Sequence, residues 1–168
     1  MKLKIFIIAI IIFIVVFYFL AKKSKNTMAT KKCTLKHKFS NVSSARLNKV
    51  NATLVAIMKE AVKCSPFDFG IAWLGGFRTA QEQSALFQKN TPSKWVTSKD
   101  GYIKKSKHQY GKAIDIVCYN ENGIITWEPS CFKKVAAHIL EIAKNQFNII
   151  LIWGGDWTKK DYGHFEIR

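Results

Sequence analysis

Four histidines stand in this chain of 168 residues: His37, His108, His138 and His164. His108 has a spacing that suits metal chemistry. It precedes Asp115 by seven positions, with Gly111 between them and an apolar run, Ile114 to Val117, following the same strand pattern as the carboxylate. Imidazole nitrogen and carboxylate oxygen both bind zinc at about 2.0–2.2 Å in a tetrahedral shell. One turn and the strand after it supply two donors. A catalytic site takes a third protein donor and keeps the fourth position open. His37 lies in a basic linker, and His138 shares a polar helix side with Lys134 and Glu141. Elimination leaves His164. A His108–Asp115–His164 set would hold one Zn2+ ion, lower the pKa of a bound water and polarise a carbonyl. Asp161 lies three residues before His164 on the incoming loop, so it can approach the metal without ligating it and serve as general base. Glu166, on the same strand face as His164, is the rival base. Arg78 is placed to stabilise a developing oxyanion.

These side chains need elements to hold them. Ser44 is expected to cap a helix over 45–63, with Leu47, Val50, Leu54, Met58 and Val62 on one apolar face. Residues 69–74 read as a strand, broken by Gly75 and Gly76. Thr79 and Glu82 form a capping box that opens a helix to about residue 89, with Leu86 and Phe87 inward. Arg78 thus sits at a strand-to-helix turn. Residues 90–107 read as a long loop that leads into Ser106 and His108. Strands are expected over 113–119 and 124–127 around an Asn120–Gly123 turn. A helix over 131–146 follows, then a buried strand over 149–153, the Gly154-Gly155-Asp156-Trp157 loop, and a short last strand opened by His164. The fold class is α+β: a small antiparallel sheet with flanking helices around a zinc site, preceded by an N-terminal transmembrane helix.

Net charge is +16, from 27 basic and 11 acidic residues, and it is lopsided. Residues 1–59 carry 12 Lys and Arg and no Asp or Glu, so the basic excess belongs to the front of the chain. It marks attraction to something anionic: lipid headgroups, a wall polymer or nucleic acid. Residues 5–21 are uncharged and apolar between lysines, the short end of a membrane-spanning length. We read residues 1–21 as an uncleaved anchor over a cleavable signal peptide, 22–42 as a basic linker and 43–168 as the folded domain. The lysines after the span argue for a cytoplasmic domain, whereas a wall-directed enzyme needs the opposite side. Cys33, Cys64, Cys118 and Cys131 contain no CxxC pair, which argues against a cysteine zinc site. They form either two disulfides, with Cys118–Cys131 the easiest closure, or four thiols.

The set Ser106-x-His108-x-x-Gly111-x-Ala113-x-Asp115, with Gly154-Gly155-Asp156-Trp157 and Asp161-x-x-His164-Phe165-Glu166, resembles the zinc D-Ala-D-Ala carboxypeptidase and L-alanyl-D-glutamate endopeptidase family. It is most similar to the endolysin-like endopeptidase branch. Gly76-Phe77-Arg78-Thr79 and Gln81 match that branch's upstream substrate motif, and the resemblance spans about 70–168. It implies His108, Asp115 and His164 as ligands of a single zinc, Asp161 as base and Arg78 at the scissile carbonyl. It also implies Ser106, Gln81 and Asp156 in substrate contact or in orienting ligands. The activity it implies is cleavage of a peptidoglycan stem peptide at L-Ala–D-Glu. D-Ala–D-Ala carboxypeptidase activity, or a non-catalytic wall-binding module that keeps the fold, is the alternative. The expected protein is a monomer, membrane-tethered, with an extracytoplasmic catalytic domain and no specific nucleic-acid partner. A basic surface-binding protein with an incidental His/Asp set is the reading furthest from this one.

Overall fold

The computed structural model describes residues 37–168, so the expected anchor and most of the linker lie outside the described residues. Among the described residues no helix is long and apolar enough to cross a membrane. The chain runs α1 (Asn41–Arg46), α2 (Ala52–Cys64), β1 (Phe69–Ile71), α3 (Ala80–Phe87), a 3-10 turn (Lys107–Tyr110), β2 (Ala113–Tyr119), β3 (Ile125–Thr126), α4 (Pro129–Phe147), β4 (Ile152–Trp153), a second 3-10 turn (Gly154–Asp156) and β5 (His164–Glu166). This is the expected α+β arrangement. The strand order is β1-β2-β5-β4, with β3 also on β2, and every pairing is antiparallel.

The long strand β2 organises both faces. Side chains alternate across a strand. Ile114, Ile116 and Cys118 enter the core, where they meet Leu54, Ile57, Met58 and Ala61 of α2 and Val135, Ala136 and Ile139 of α4. Ala113, Asp115 and Val117 therefore point to the other face. The β2–β5 register sets Asp115 opposite His164, Ile114 opposite Phe165 and Ala113 opposite Glu166. Phe165 is fully buried in the core, so His164 and Glu166 emerge on the Asp115 face. The alternation that buries three apolar β2 residues thus brings together chemistry from two strands distant in sequence.

The expected helix over 45–63 is two helices. Ser40, not Ser44, caps the first, accepting from the Ser43 N–H, and Asn51 starts the second by accepting from the Thr53 and Leu54 N–H groups. Lys49 takes a positive φ of 62° between them. The apolar spacing runs through this break, so periodicity alone reads it as continuous. The strands expected over 69–74, 124–127 and 149–153 are each shorter. In α3 the buried residue is Gln83, while Phe87 is exposed, because the inner face of α3 meets Arg78 and the polar 97–99 backbone instead of the core. His138 is not a solvated side chain. It is half-buried, with Nε2 3.1 Å from the Ala61 carbonyl in the last turn of α2, where carbonyls lack helical partners. His37 of the linker lies 3.7 Å from Asp68. Cys118 and Cys131 are free, buried thiols, so of the two alternatives the local closure between them is not made, and Cys64 is disulfide-bonded.

Candidate metal centre

The loop that carries His108 is shaped by its neighbours. Ser106 caps the 3-10 turn by accepting from the His108 N–H at 3.4 Å, and Gln109 reaches back to the Ser106 N–H at 2.9 Å. Gly111 closes the turn at φ 64°, the left-handed region that favours glycine. A side chain there would also run into the Lys49 carbonyl, 2.4 Å from an ideal Cβ. His108 is 1% exposed, and its Nδ1 lies 2.8 Å from the Gly76 carbonyl. A carbonyl only accepts, so Nδ1 carries the proton and Nε2 presents a lone pair. That Nε2 is enclosed, lies 3.3 Å from Asp115 Oδ1 and makes no hydrogen bond.

Asp115 Oδ1 also lies 2.9 Å from His164 Nδ1, while Oδ2 accepts from Arg78 Nη2. His164 Nε2 points the other way, 3.1 Å from Glu166 Oε2. Trp157 tilts over the His164 ring at 5.0 Å between centroids. Burial works against the Asp115 charge, but His108, His164 and Arg78 outweigh it and hold the carboxyl well below the ordinary range. Burial likewise disfavours a charged His164, yet its bonds to Asp115 and Glu166 push it up to about 9. Glu166 is lowered by the bond from His164.

One donor atom each from His108, Asp115 and His164 lies within 4.8 Å of the others. Two imidazoles and one carboxylate are a donor set of the kind that catalytic zinc sites use. The stranded Nε2 of His108 fits it too, since a buried acceptor without a partner costs about 1–3 kcal/mol and a cation there removes that cost.

Asp161 reaches this centre by backbone packing. The Gly154 carbonyl accepts from the Asp161 N–H at 3.0 Å and from the Trp157 N–H at 3.2 Å. An ideal Cβ on Gly154 would lie 2.5 Å from the Asp161 carbonyl and 3.1 Å from the His164 Cβ, so only glycine permits this approach. Burial, then the like charge of Asp115, raise the Asp161 carboxyl, with His164, His108 and Arg78 opposing. Gly154→Ala is expected to lower kcat/KM by about 10²-fold, the scale of a 1 Å misplacement, with a smaller loss of zinc affinity. Kinetics beside chelator competition would test this, and equal losses would show that the loop serves the ligands alone.

Arg78 is 9% exposed and tightly held. Its Nε donates to the Leu74 carbonyl at 2.5 Å, and Nη1 to Gln83 at 3.3 Å. Gln83, fully buried, donates in turn to the Lys99 carbonyl at 3.0 Å. Gln83 thus meets Arg78, while Gln81 of the upstream motif is exposed. Its sequence signal was a polar residue on the inward side of a short capped helix. Asp156 is exposed in the second 3-10 turn. Lys159 stacks 3.7 Å over Trp95, linking the loop of Asp161 to the long loop before Ser106.

A buried His–Asp–His cluster on a small antiparallel sheet, with a further carboxylate on the neighbouring loop, defines a single-metal hydrolase class. Residues 35–168 match the family model described as phage L-alanyl-D-glutamate peptidase. The chain belongs to that family. It is 28% identical, over 79% of its length and 84% of the relative's, to the peptidoglycan L-alanyl-D-glutamate endopeptidase CwlK of Bacillus subtilis. It is 31% identical to the L-alanyl-D-glutamate peptidase of Escherichia phage T5, over 78% of this chain and 89% of that one. Two solved structures share the fold. The Serratia marcescens L-Ala D-Glu endopeptidase ChiX superposes with TM-score 0.64 at 24% identity, covering 84% of this chain and 95% of that one. The vancomycin-resistance D,D-pentapeptidase VanY, solved with Zn(II), gives 0.50 at 13%, covering 81% and 80%.

Zinc is expected to stabilise this fold, because the three donors converge only when β2 and β5 pair. A ligand at a thousand times its Kd adds about 4 kcal/mol, so Tm should climb with added zinc. His164 must shed the proton on Nδ1, so the gain should be larger at pH 8 than at pH 6. Calorimetry with and without chelator reads both, and a Tm indifferent to zinc would contradict the site.

Proposed function

We propose that this chain is a zinc peptidase that hydrolyses the L-Ala–D-Glu bond of the peptidoglycan stem. The observation that carries the reading is the convergence of His108 Nε2, Asp115 and His164 Nδ1 beside the Asp161 loop, in a chain of this family. A zinc ion held by those residues supplies Lewis acidity, polarising the scissile carbonyl and acidifying water. The protein's own groups do the rest. Asp161 takes the proton from the attacking water and returns it to the leaving amine. A carboxyl raised from its usual value is better matched to that task near neutral pH. Arg78 spends three guanidinium N–H groups on Leu74, Gln83 and Asp115. Two of about five remain for the substrate carbonyl, so Arg78 both orients a ligand and assists the oxyanion. Ser106 acts through the turn that aims His108, while exposed Gln81 and Asp156 are left for substrate contact.

Digestion of purified muropeptides, with mass spectrometry of the new termini, tests the bond. A new Glu amino terminus is expected. Release of free D-Ala alone would instead make the chain a D,D-carboxypeptidase, and wall binding without cleavage would make it a binding module. The apolar run 5–21 supports a membrane tether, and a peptidoglycan substrate calls for a catalytic domain on the wall side, against the orientation that the lysines after the run favour.

A further inference from the structure

The geometry points to Glu166 as the positioning residue that selects which nitrogen of His164 binds the metal. This rests on His164 being a ligand. An imidazole carries its two nitrogens on diverging edges, and the hydrogen bond made by one decides what the other presents. In His164, Nδ1 faces Asp115 at 2.9 Å and Nε2 faces Glu166 Oε2 at 3.1 Å. Both flanking carboxylates only accept, so in the metal-free site the ring donates on both edges; a cation shared with Asp115 and His108 displaces the Nδ1 proton, while Nε2 keeps donating to Glu166. His108 is set in the opposite sense. Its Nδ1 donates to the Gly76 carbonyl and its Nε2 turns to Asp115. Two ligands of one metal thus use different nitrogens, each chosen by an acceptor on the far side of its ring.

The placement of Glu166 follows from the sheet. Residues two apart on a strand share a face, so His164 and Glu166 project together. The cross-strand partners of Glu166 are Ala113 on β2, a single buried methyl group, and Ile152 on β4, and the glutamate bends along β5 toward the ring. The same geometry removes Glu166 from the role of base. Its carboxylate lies on the edge of the His164 ring away from Asp115, with the imidazole in between, whereas Asp161 arrives from the Gly154 loop.

The test uses the full-length protein and its Glu166→Ala and Glu166→Gln variants, with zinc affinity read by chelator competition. Loss of an acceptor behind a ligating histidine weakens metal binding by about 10- to 100-fold, and this is expected for Glu166→Ala. Glu166→Gln keeps an acceptor oxygen and should recover most of the loss. At saturating zinc, Glu166→Ala should retain kcat within about tenfold, below the 10²–10⁴-fold cost of removing a base. Long-range ¹⁵N–¹H spectra of the zinc-loaded wild type should show His164 protonated at Nε2, a reading that needs no variant to fold. Wild-type zinc affinity in Glu166→Ala, or His164 protonated at Nδ1, would overturn the assignment. A zinc-saturated Glu166→Ala that stays inactive would make Glu166 the base instead. A wild type that binds no zinc would remove the metal reading itself.

Discussion

Asp115→Ala is expected to cost the protein its metal and part of its stability together. Asp115 is the hub of the site. Oδ1 faces both histidines, at 3.3 and 2.9 Å, and Oδ2 takes the guanidinium of Arg78. Alanine removes one ligand outright and releases the acceptor that keeps His164 Nδ1 turned inward. It also strands Arg78, whose side chain is 11% exposed. Breaking one side of a buried ion pair costs about 3–5 kcal/mol, and the lower figure applies because Asp115 keeps 22% of its side-chain exposure. Hydrolysis should fall to background, zinc should not be retained through gel filtration, and Tm should drop in the zinc-free protein as well. That last reading separates the hub from a simple ligand. His108→Ala should also lose zinc, but it leaves the Asp115–Arg78 pair intact. Equal zinc-free Tm values for the two variants would show that the pair carries no stability.

Asp161→Asn is expected to separate chemistry from folding. Removing a general base costs about 10²–10⁴-fold in kcat, while zinc content should stay at one ion, since Asp161 is not among the three converging donors. Stability should move in the opposite direction to activity. Burial and the Asp115 charge raise the folded-state pKa of Asp161 above its ordinary 3.8. A raised carboxyl favours folding at low pH and opposes it once the pH exceeds that pKa. Asp161 is itself exposed to solvent, so the cost of its charge at neutral pH is small, and the neutral amide should leave zinc-free Tm unchanged or slightly higher. An acid limb of wild-type kcat set by Asp161 should vanish from the residual activity of the variant, whose amide does not titrate. A variant that loses zinc along with activity would make Asp161 a ligand.

Much of the site was legible because its signals are local. Ser106, Gly111 and Asp115 fall within one turn and the strand after it. The capping box at Thr79 and Glu82 formed as the spacing dictates, because caps depend on residues three apart. What stayed hidden depends on contacts far along the chain. Gly111 O accepts from the Asn51 N–H, tying the break between α1 and α2 to the His108 turn, and no helical periodicity carries that information. His138 looked polar and free because its partner, the Ala61 carbonyl, lies 77 residues away. Gln83 looked like any glutamine on a short helix until Arg78 and the Lys99 carbonyl met it.

Residue types and local spacing were enough to single out the candidate donors, a candidate base and the α+β class, because residue type limits what can bind a metal and local spacing limits which elements can form. Only the tertiary structure decided how those groups are aimed. The β2–β5 register places Asp115 against His164 across 49 residues. Gly76 and Glu166 then turn the two imidazoles in opposite senses, and Gly154 admits the Asp161 loop. Orientation is a property of pairs of surfaces in contact, and the chain acquires those pairs only when the sheet closes against α2 and α4.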